Sequence, residues 1–378
     1  MNATAVRDAD SETASAMLRR GEYREAVAFL TSRKSLSPMG MDYLCDAYFQ
    51  LRDWTSALAV LRVRVKRGPI APFHRRLEAK ILSNMGRHKE ALASIRAFLK
   101  TNGGDAEALG VAKICCHFLG DDAGARLHGQ KALLAKDRAA GPPPPDLPPW
   151  KPRVASGRVI AFSVFGDRKI YLLGAAINIQ LAKRHFPGWT VRLYCASSLG
   201  PAWLDLYRGL GAEVVLADRD FPDVPEYVWR FLVADDPDVG TYMCRDADSR
   251  IGAEEAQLVA AWQASGLPFH VIRDHVLHDD PMLAGLWGGT GWDALRMREL
   301  VIAWFRGRTS AKYTQDQQFL AAAVWPRVRS LAFVHDPFYS TPGVMSHRHA
   351  FPGLRLGLGH QGEAKVIAEA QALGIAAP

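Results

Sequence analysis

Four short stretches repeat one pattern at nearly one spacing. "GEYREA" (Gly21 to Ala26), "RDWTSA" (Arg52 to Ala57), "GRHKEA" (Gly86 to Ala91) and "GDDAGA" (Gly120 to Ala125) begin 31, 34 and 34 residues apart. Apolar residues recur around them at intervals of three and four. Leu44, Ala47, Tyr48 and Leu51 precede the second stretch, and Leu58, Val60, Leu61 and Val65 follow it, the spacing of a buried helix face. A small residue at a turn, an aromatic or polar residue two on and an alanine five on predict a helical hairpin whose second helix lies close against its first. One hairpin cannot bury its apolar face alone, whereas three or four stacked in tandem share a continuous core.

The pattern resembles the tetratricopeptide repeat, whose 34-residue period and Gly-x-Tyr-x-x-Ala core it matches over roughly residues 13 to 136. The resemblance implies an all-α tetratricopeptide-like superhelix over residues 1–138, with a protein or peptide partner held at the repeats. Two copies depart from the pattern: Arg52 stands where the usual glycine would, and the fourth repeat lacks the aromatic. An unrelated helical bundle is the alternative.

Charge is concentrated in the same region. Residues 1 to 140 hold 23 Lys and Arg against 15 Asp and Glu, and the remainder balances at 24 against 24. These charges recur at helical spacing and lack the interleaved aromatics of a single-strand nucleic-acid binder, so a solvated helical face is expected and nucleic acid is not. No apolar run reaches the roughly 18 to 20 residues of a membrane helix, and "MNATAVRDADSETAS" lacks the basic-then-apolar order of a signal peptide. A cytoplasmic location with no membrane span is the expectation. The five cysteines show no CxxC pair, which predicts buried reduced thiols rather than zinc or a disulfide framework.

"AAGPPPPDLPPWKP", Ala139 to Pro152, has seven prolines in fourteen residues. It can neither continue a helix nor join a sheet, and it predicts a semi-rigid interdomain spacer over residues 139–152. Beyond it, "GRVIAFSVFG" and "WTVRLYC" read as strands flanking the helical "LLGAAINIQLAKRHFPG". A helix end in "DLYRGLGAEVVLA" then feeds another strand, and "GTYMC" reads as one more. Strand and helix in alternation predict an α/β domain over residues 153–378 with a mostly parallel, Rossmann-like central sheet. Ligands on such sheets bind beyond the carboxyl ends of the strands.

"RDAD" sits at one such end. Asp246 and Asp248 share a face if the strand stays extended, and two carboxylates so placed suit Mg²⁺ or Mn²⁺. "DADS" equally makes a turn or helix cap before "AEEAQLVAAWQAS". Further motifs stand around the pair in order. An arginine-bearing helix, "YVWRFLVADD", precedes it; a glycine-rich segment, "LAGLWGGTGWD", an Asp-Gln helix start, "YTQDQQFL", and a strand ending in histidine, "SLAFVHD", follow.

In that order, over about Arg158 to Gly362, the motifs resemble a glycosyltransferase of the GT-A fold, nearest in style to glycosyltransferase family 8. The resemblance implies a sugar-nucleotide donor, a UDP-sugar first among them, with Mn²⁺ or Mg²⁺ held by Asp246, Asp248 and His335. His347, His349 and His360 compete for the third ligand position. Arg230 would reach the donor sugar or phosphate, its alternative being a surface arginine paired to Asp235 or Asp236. Arg245 and Arg250 would neutralise the acidic pair or serve as ordinary ion-pair partners. Asp316 and Gln317 would face the reacting centre, Asp316 as base or orienting group or else as a helix cap. Phe165, Gly166 and Tyr171 in "AFSVFGDRKIY" would hold the nucleotide base.

In "HVIRDHVLHDD", zinc spacing is absent, and Arg273, Asp274 and His275 become candidates for sugar hydroxyl or phosphate contacts. Trp287, Gly288 and Gly289 in "GLWGGTGW" would face the acceptor or sugar, since glycine admits close approach and tryptophan stacks on sugar faces; a tight turn with two core tryptophans is the alternative.

The function expected is metal-dependent transfer of a sugar to an acceptor, a protein or peptide held by the repeats among the candidates. A nucleotidyltransferase would need a Gly-x-Gly-Thr loop after the first strand, which "FGDRKIYLLGAA" lacks. The remaining rival is a repeat scaffold whose α/β domain binds a sugar nucleotide without catalysis.

Overall fold

The computed structural model describes residues 3–307, 315–348 and 362–378, with side chains from residue 10 onward. The chain divides into two compact units, with the boundary between Ala135 and Lys136.

The first unit is helical: α1 Ala3–Arg19, α2 Tyr23–Thr31, α3 Pro38–Gln50, α4 Trp54–Lys66, α5 Pro72–Asn84, α6 His88–Leu99, α7 Ala106–Phe118 and α8 Asp122–Ala140, the last of which runs through the boundary. These are tandem helical hairpins. The turn inside each passes through a left-handed residue at the same repeat position, Gly21 at φ 77°, Arg52 at 59°, Gly86 at 75° and Gly120 at 75°. Five residues after the start of each motif, Ala26, Ala57, Ala91 and Ala125 are completely buried, so a methyl group is all that separates the helices there. Polar ties join successive hairpins. Asp42 on α3 holds Arg64 Nε at 3.1 Å and His74 Nε2 of α5 at 3.0 Å, and Asp105, which caps α7, also holds Arg76 of α5.

Residues 141–156 carry no helix or strand, as their prolines dictate. The second half of this stretch is not a spacer, however. Leu147 and Trp150 pack on the core of the second unit. Arg153 donates to the carbonyls of Ala234 and Val239 at 3.2 Å and pairs with Asp293 at 2.6 Å.

The second unit contains β1 Gly157–Val164, α9 Lys169–His185, β2 Thr190–Cys195, α10 Pro201–Gly209, β3 Glu213–Leu216 and the short α11 Ala217–Asp220. A 3₁₀ helix, Glu226–Asp235, precedes β4 Val239–Arg245, α12 Ala253–Ser265, β5 Phe269–Ile272, β6 Leu286–Thr290 and α13 Met297–Phe305. Then come α14 Gln315–Phe319, α15 Trp325–Val328, β7 Ala332–His335, β8 Met345–His347 and α16 Glu363–Ala372. The strands form one sheet in the order β3-β2-β1-β4-β6-β5-β7-β8. Only β6, among the described strands, runs antiparallel to its neighbours.

Alternate residues of β1 enter different cores, Val159 and Ala161 one, Ile160 and Phe162 the other. Burial on both faces is why this strand reads as an unbroken apolar run. All five cysteines are buried and unbridged, as their spacing predicts. No helix among the described residues is long and apolar enough to cross a membrane.

Candidate active site

From β1 the chain builds the sheet outward through β2 and β3, then returns to lay β4 on the other side of β1. The crevice beyond the carboxyl ends of β1 and β4 is thus a topological switch point, where open α/β sheets take their ligands. Phe165 and Gly166 leave β1 at this edge, Gly166 with φ 73°. Residues 166 to 169 are exposed and lead into α9, where Arg168 lies over the Tyr171 ring at 5.3 Å. Asp246 follows β4 directly, and Asp248 lies half-buried in the next turn.

Three of the predicted residues converge here. Arg230, on the 3₁₀ helix, is 4% exposed. Its backbone N–H donates to Ser163 Oγ at the end of β1, 2.9 Å away. Its guanidinium donates to the carbonyls of Ala284 and Tyr227, and Nη2 lies 2.9 Å from Asp246 Oδ1 and 3.2 Å from Asp316 Oδ2. The surface alternative does not hold, because Asp235 accepts the N–H groups of Met297 and Arg298 and Asp236 pairs with Arg192.

Burial pushes the Asp316 carboxyl above its ordinary range, against the pull of Arg230 and with the charge of Asp246 adding to the rise. Gln317 is half-buried beside it and donates its backbone N–H to Asp316 Oδ1 at 2.9 Å. Tyr227 donates its hydroxyl to Gln315 Oε1 at 3.0 Å. Burial, with Asp316 second, pushes that phenol up to about 12. The crevice therefore pairs a buried cation with two partly accessible carboxylates, Asp246 with a side chain 42% exposed and Asp316 at 21%.

Other expected residues lie elsewhere. His335 ends β7, and β6 and β5 stand between that strand and β4. Three strand spacings amount to about 14 Å. The His335 ring is completely buried against His270 and Phe333, with Nε2 3.0 Å from Leu258 O. No three His, Cys, Asp or Glu side chains among the described residues come together as a metal cluster, so His335 does not complete a site with the two aspartates. His347 is exposed on β8 and stacks on Phe333; His349 and His360 lie outside the described residues.

Arg245 turns away from the acidic pair into the core. It is 1% exposed and faces Glu255 at 3.1 Å. Adjacent strand residues point to opposite faces, which sends Arg245 inward where Asp246 points outward. Arg273 is likewise buried, paired to Asp336 at 2.6 Å and donating to Pro281 O at 2.9 Å. Asp274, 1% exposed, takes His278 at 2.8 Å, and the His275 ring accepts the Leu277 N–H. The cluster Arg273–His275 is thus a structural network and not a ligand surface.

Trp287 is a core residue, edge-on to Phe231 and Tyr242 with ring centroids 5.6 Å from each. Gly288 and Gly289 let β6 enter the sheet, since an added Cβ would come within 2.4 Å of Tyr242 O or 2.7 Å of the Phe269 ring. All three are buried.

Sequence reasoning missed Gly285 and Asn178. At Gly285 a Cβ would lie 2.0 Å from Asp246 Oδ2, so the carboxylate rests on bare backbone. Asn178 is completely buried on α9, and its amide in an otherwise apolar helix face, between Ile177 and Ile179, is the signal that could have revealed it. Arg250 pairs with Glu369 at 3.0 Å, the ordinary ion pair, and Nη1 also donates to Ser249 O at 3.0 Å.

Fold and site define an α/β domain with a charged cluster at a topological switch point, in a chain that also carries tandem helical hairpins. No family model matches the chain, and no curated protein does. Among solved structures, an O-GlcNAc transferase mutant from Thermobaculum terrenum is 17% identical over 57% of this chain and 42% of its own, with a TM-score of 0.39. MamA from Desulfovibrio magneticus RS-1 is 18% identical over 35% of this chain and 81% of its own, TM-score 0.32. The TPR protein YrrB is 14% identical over 34% and 76%, TM-score 0.28. Likenesses this loose carry no argument, and the functional reading rests on the geometry of the crevice.

Proposed function

We propose that the second unit is a glycosyltransferase domain of the GT-A type, moving a sugar from a sugar nucleotide to an acceptor, with the repeats holding a protein or peptide partner. One observation carries the reading. Arg230, Asp246 and Asp316, separated by 16 and 70 residues in sequence, meet at the carboxyl ends of the strands.

The donor set suits a hard divalent cation. Mg²⁺ is commonly held by one or two carboxylates together with substrate phosphates and water, so two aspartates suffice where His335 does not reach. Asp246 and Asp248 would hold Mn²⁺ or Mg²⁺, which when bound supplies Lewis-acid stabilisation of charge on the departing nucleotide. The chain's own residues do the rest. Arg230 fixes Asp246 and Asp316 relative to each other and brings a buried positive charge to the crevice, where electrostatic stabilisation is strongest. Asp316, with its affinity for a proton raised by burial, is suited to orient an acceptor hydroxyl or take its proton. Phe165 and Gly166, which follow β1, and Tyr171 on α9 would hold the nucleotide base.

Turnover of sugar nucleotides, UDP-sugars first, with Mn²⁺ and the full chain tests this reading beside Asp246→Asn and Asp316→Asn. We expect both variants to lose activity and Asp246→Asn to lose its response to Mn²⁺. Nucleotide binding without turnover in the wild type would favour the non-catalytic scaffold, and undiminished activity in both variants would refute the site.

A further inference from the structure

We propose that Asn178 on α9 is the positioning residue of the Asp246–Ser249 turn, setting the angle at which its carboxylates meet a divalent cation and a nucleotide diphosphate. The ligand in this statement rests on the proposed function; the clamp itself does not.

A primary amide has two N–H donors and a carbonyl acceptor, and Asn178 uses both kinds on one short segment. Nδ2 donates to Ser249 O at 2.8 Å and to Ala247 O at 3.3 Å, and Oδ1 accepts the Ile251 N–H at 3.2 Å. The two carbonyls belong to the residues that follow Asp246 and Asp248. The Ala247 carbonyl belongs to the rigid peptide unit that joins Ala247 to Asp248 and the Ser249 carbonyl to the next unit but one, so holding both carbonyls holds the backbone on either side of Asp248 and the turn that follows Asp246.

Gly174 lies one turn earlier on the same face of α9, and a Cβ there would come 2.1 Å from Ala247 O. Helix packing alone would be served by an apolar residue at 178 and an alanine at 174. The amide and the missing side chain both make sense as fittings to the acidic turn. Arg250 Nη1 meets the same two carbonyls at 3.4 and 3.0 Å.

Three full-length variants test this. Asn178→Asp keeps the shape but turns a donor into an oxygen facing two carbonyls, Gly174→Ala displaces Ala247 O without removing a polar group, and Ile177→Ala removes core packing on the same helix without altering a group hydrogen-bonded to the turn. Binding of Mn²⁺ with UDP is followed by electron paramagnetic resonance and calorimetry, and amide exchange at Ile251 without ligand. Substitution behind a metal ligand lowers affinity by about 10- to 100-fold. We expect losses of about tenfold or more in Asn178→Asp and Gly174→Ala, faster Ile251 exchange in Asn178→Asp, and affinity within about twofold of wild type in Ile177→Ala despite its lower stability. Wild-type affinity in Asn178→Asp, or an equal loss in Ile177→Ala, would overturn the proposal. If the wild type itself fails to bind Mn²⁺ with UDP, the functional reading falls, and Ile251 exchange then judges the clamp: acceleration upholds it, and no change refutes it.

Discussion

Arg52 holds a conformation that its three counterparts assign to glycine. At φ 59° it occupies the position of Gly21, Gly86 and Gly120, between α3 and α4. A left-handed backbone costs an L-residue roughly 1 to 2 kcal/mol. Replacing arginine by glycine relieves that strain but adds freedom to the unfolded chain, a loss of roughly 0.5 to 1 kcal/mol. The difference predicts that Arg52→Gly stabilises the hairpin by about 0.5 to 1 kcal/mol, and that Gly86→Ala destabilises the next one by about as much.

Because the effect is local, amide exchange over residues 38–66 and 72–99 is the assay. Protection of the first segment should rise about 2- to 5-fold in Arg52→Gly, since 1.4 kcal/mol corresponds to about tenfold. The second segment should lose protection in Gly86→Ala. If Arg52→Gly lowers protection of its own hairpin, the exposed arginine contributes more than its backbone strain and the reasoning fails.

Gly285→Ala should push the Asp246 carboxylate off its seat and away from Arg230, because the added Cβ would stand 2.0 Å from Oδ2; a misplacement of about 1 Å can lower kcat/KM about 100-fold, and unchanged turnover would show that the carboxylate is free to move. Glu255 is fully buried, and desolvation pushes its carboxyl from 4.5 up to about 7 despite Arg245. Its contribution is therefore fully present below about pH 4.5 and lost as pH rises through about 7, a change of roughly 3 kcal/mol at most. Urea midpoints of the wild type should fall over that interval relative to Glu255→Gln, and parallel pH profiles would contradict the assignment. Arg230→Lys should lower turnover strongly, since one ammonium cannot meet two carboxylates and two carbonyls with the fixed fork of a guanidinium; steady-state kinetics beside thermal melts checks it.

What the sequence disclosed followed from periodicity. The hairpins were legible because Ala26, Ala57, Ala91 and Ala125 recur beside a turn residue, and β1, β2 and β4 because buried parallel strands read as apolar runs. Asp246 could be placed at a predicted strand end, whereas Arg230 and Asp316 were joined to it only through the motif order of the GT-A resemblance. His335 misled because being at a strand end says nothing of which strands intervene: "GLWGGTGW" was read as a glycine-rich segment facing the acceptor or sugar, but part of it is β6, and its insertion beside β4 carries β7 away from the aspartates. Arg245 misled because its neighbour's charge suggested a partner that the pleat forbids. Trp287 looked like a sugar platform, and only three-dimensional packing assigns its ring to Phe231 and Tyr242.

Arg230 and its two carboxylates make one electrostatic unit, one positive charge between two negative ones. No member can be exchanged for a neutral residue without stranding the others in a partly desolvated crevice. Lineages of this chain should therefore keep the three positions together or change them together: where Arg230 is lost, both carboxylates should be lost with it.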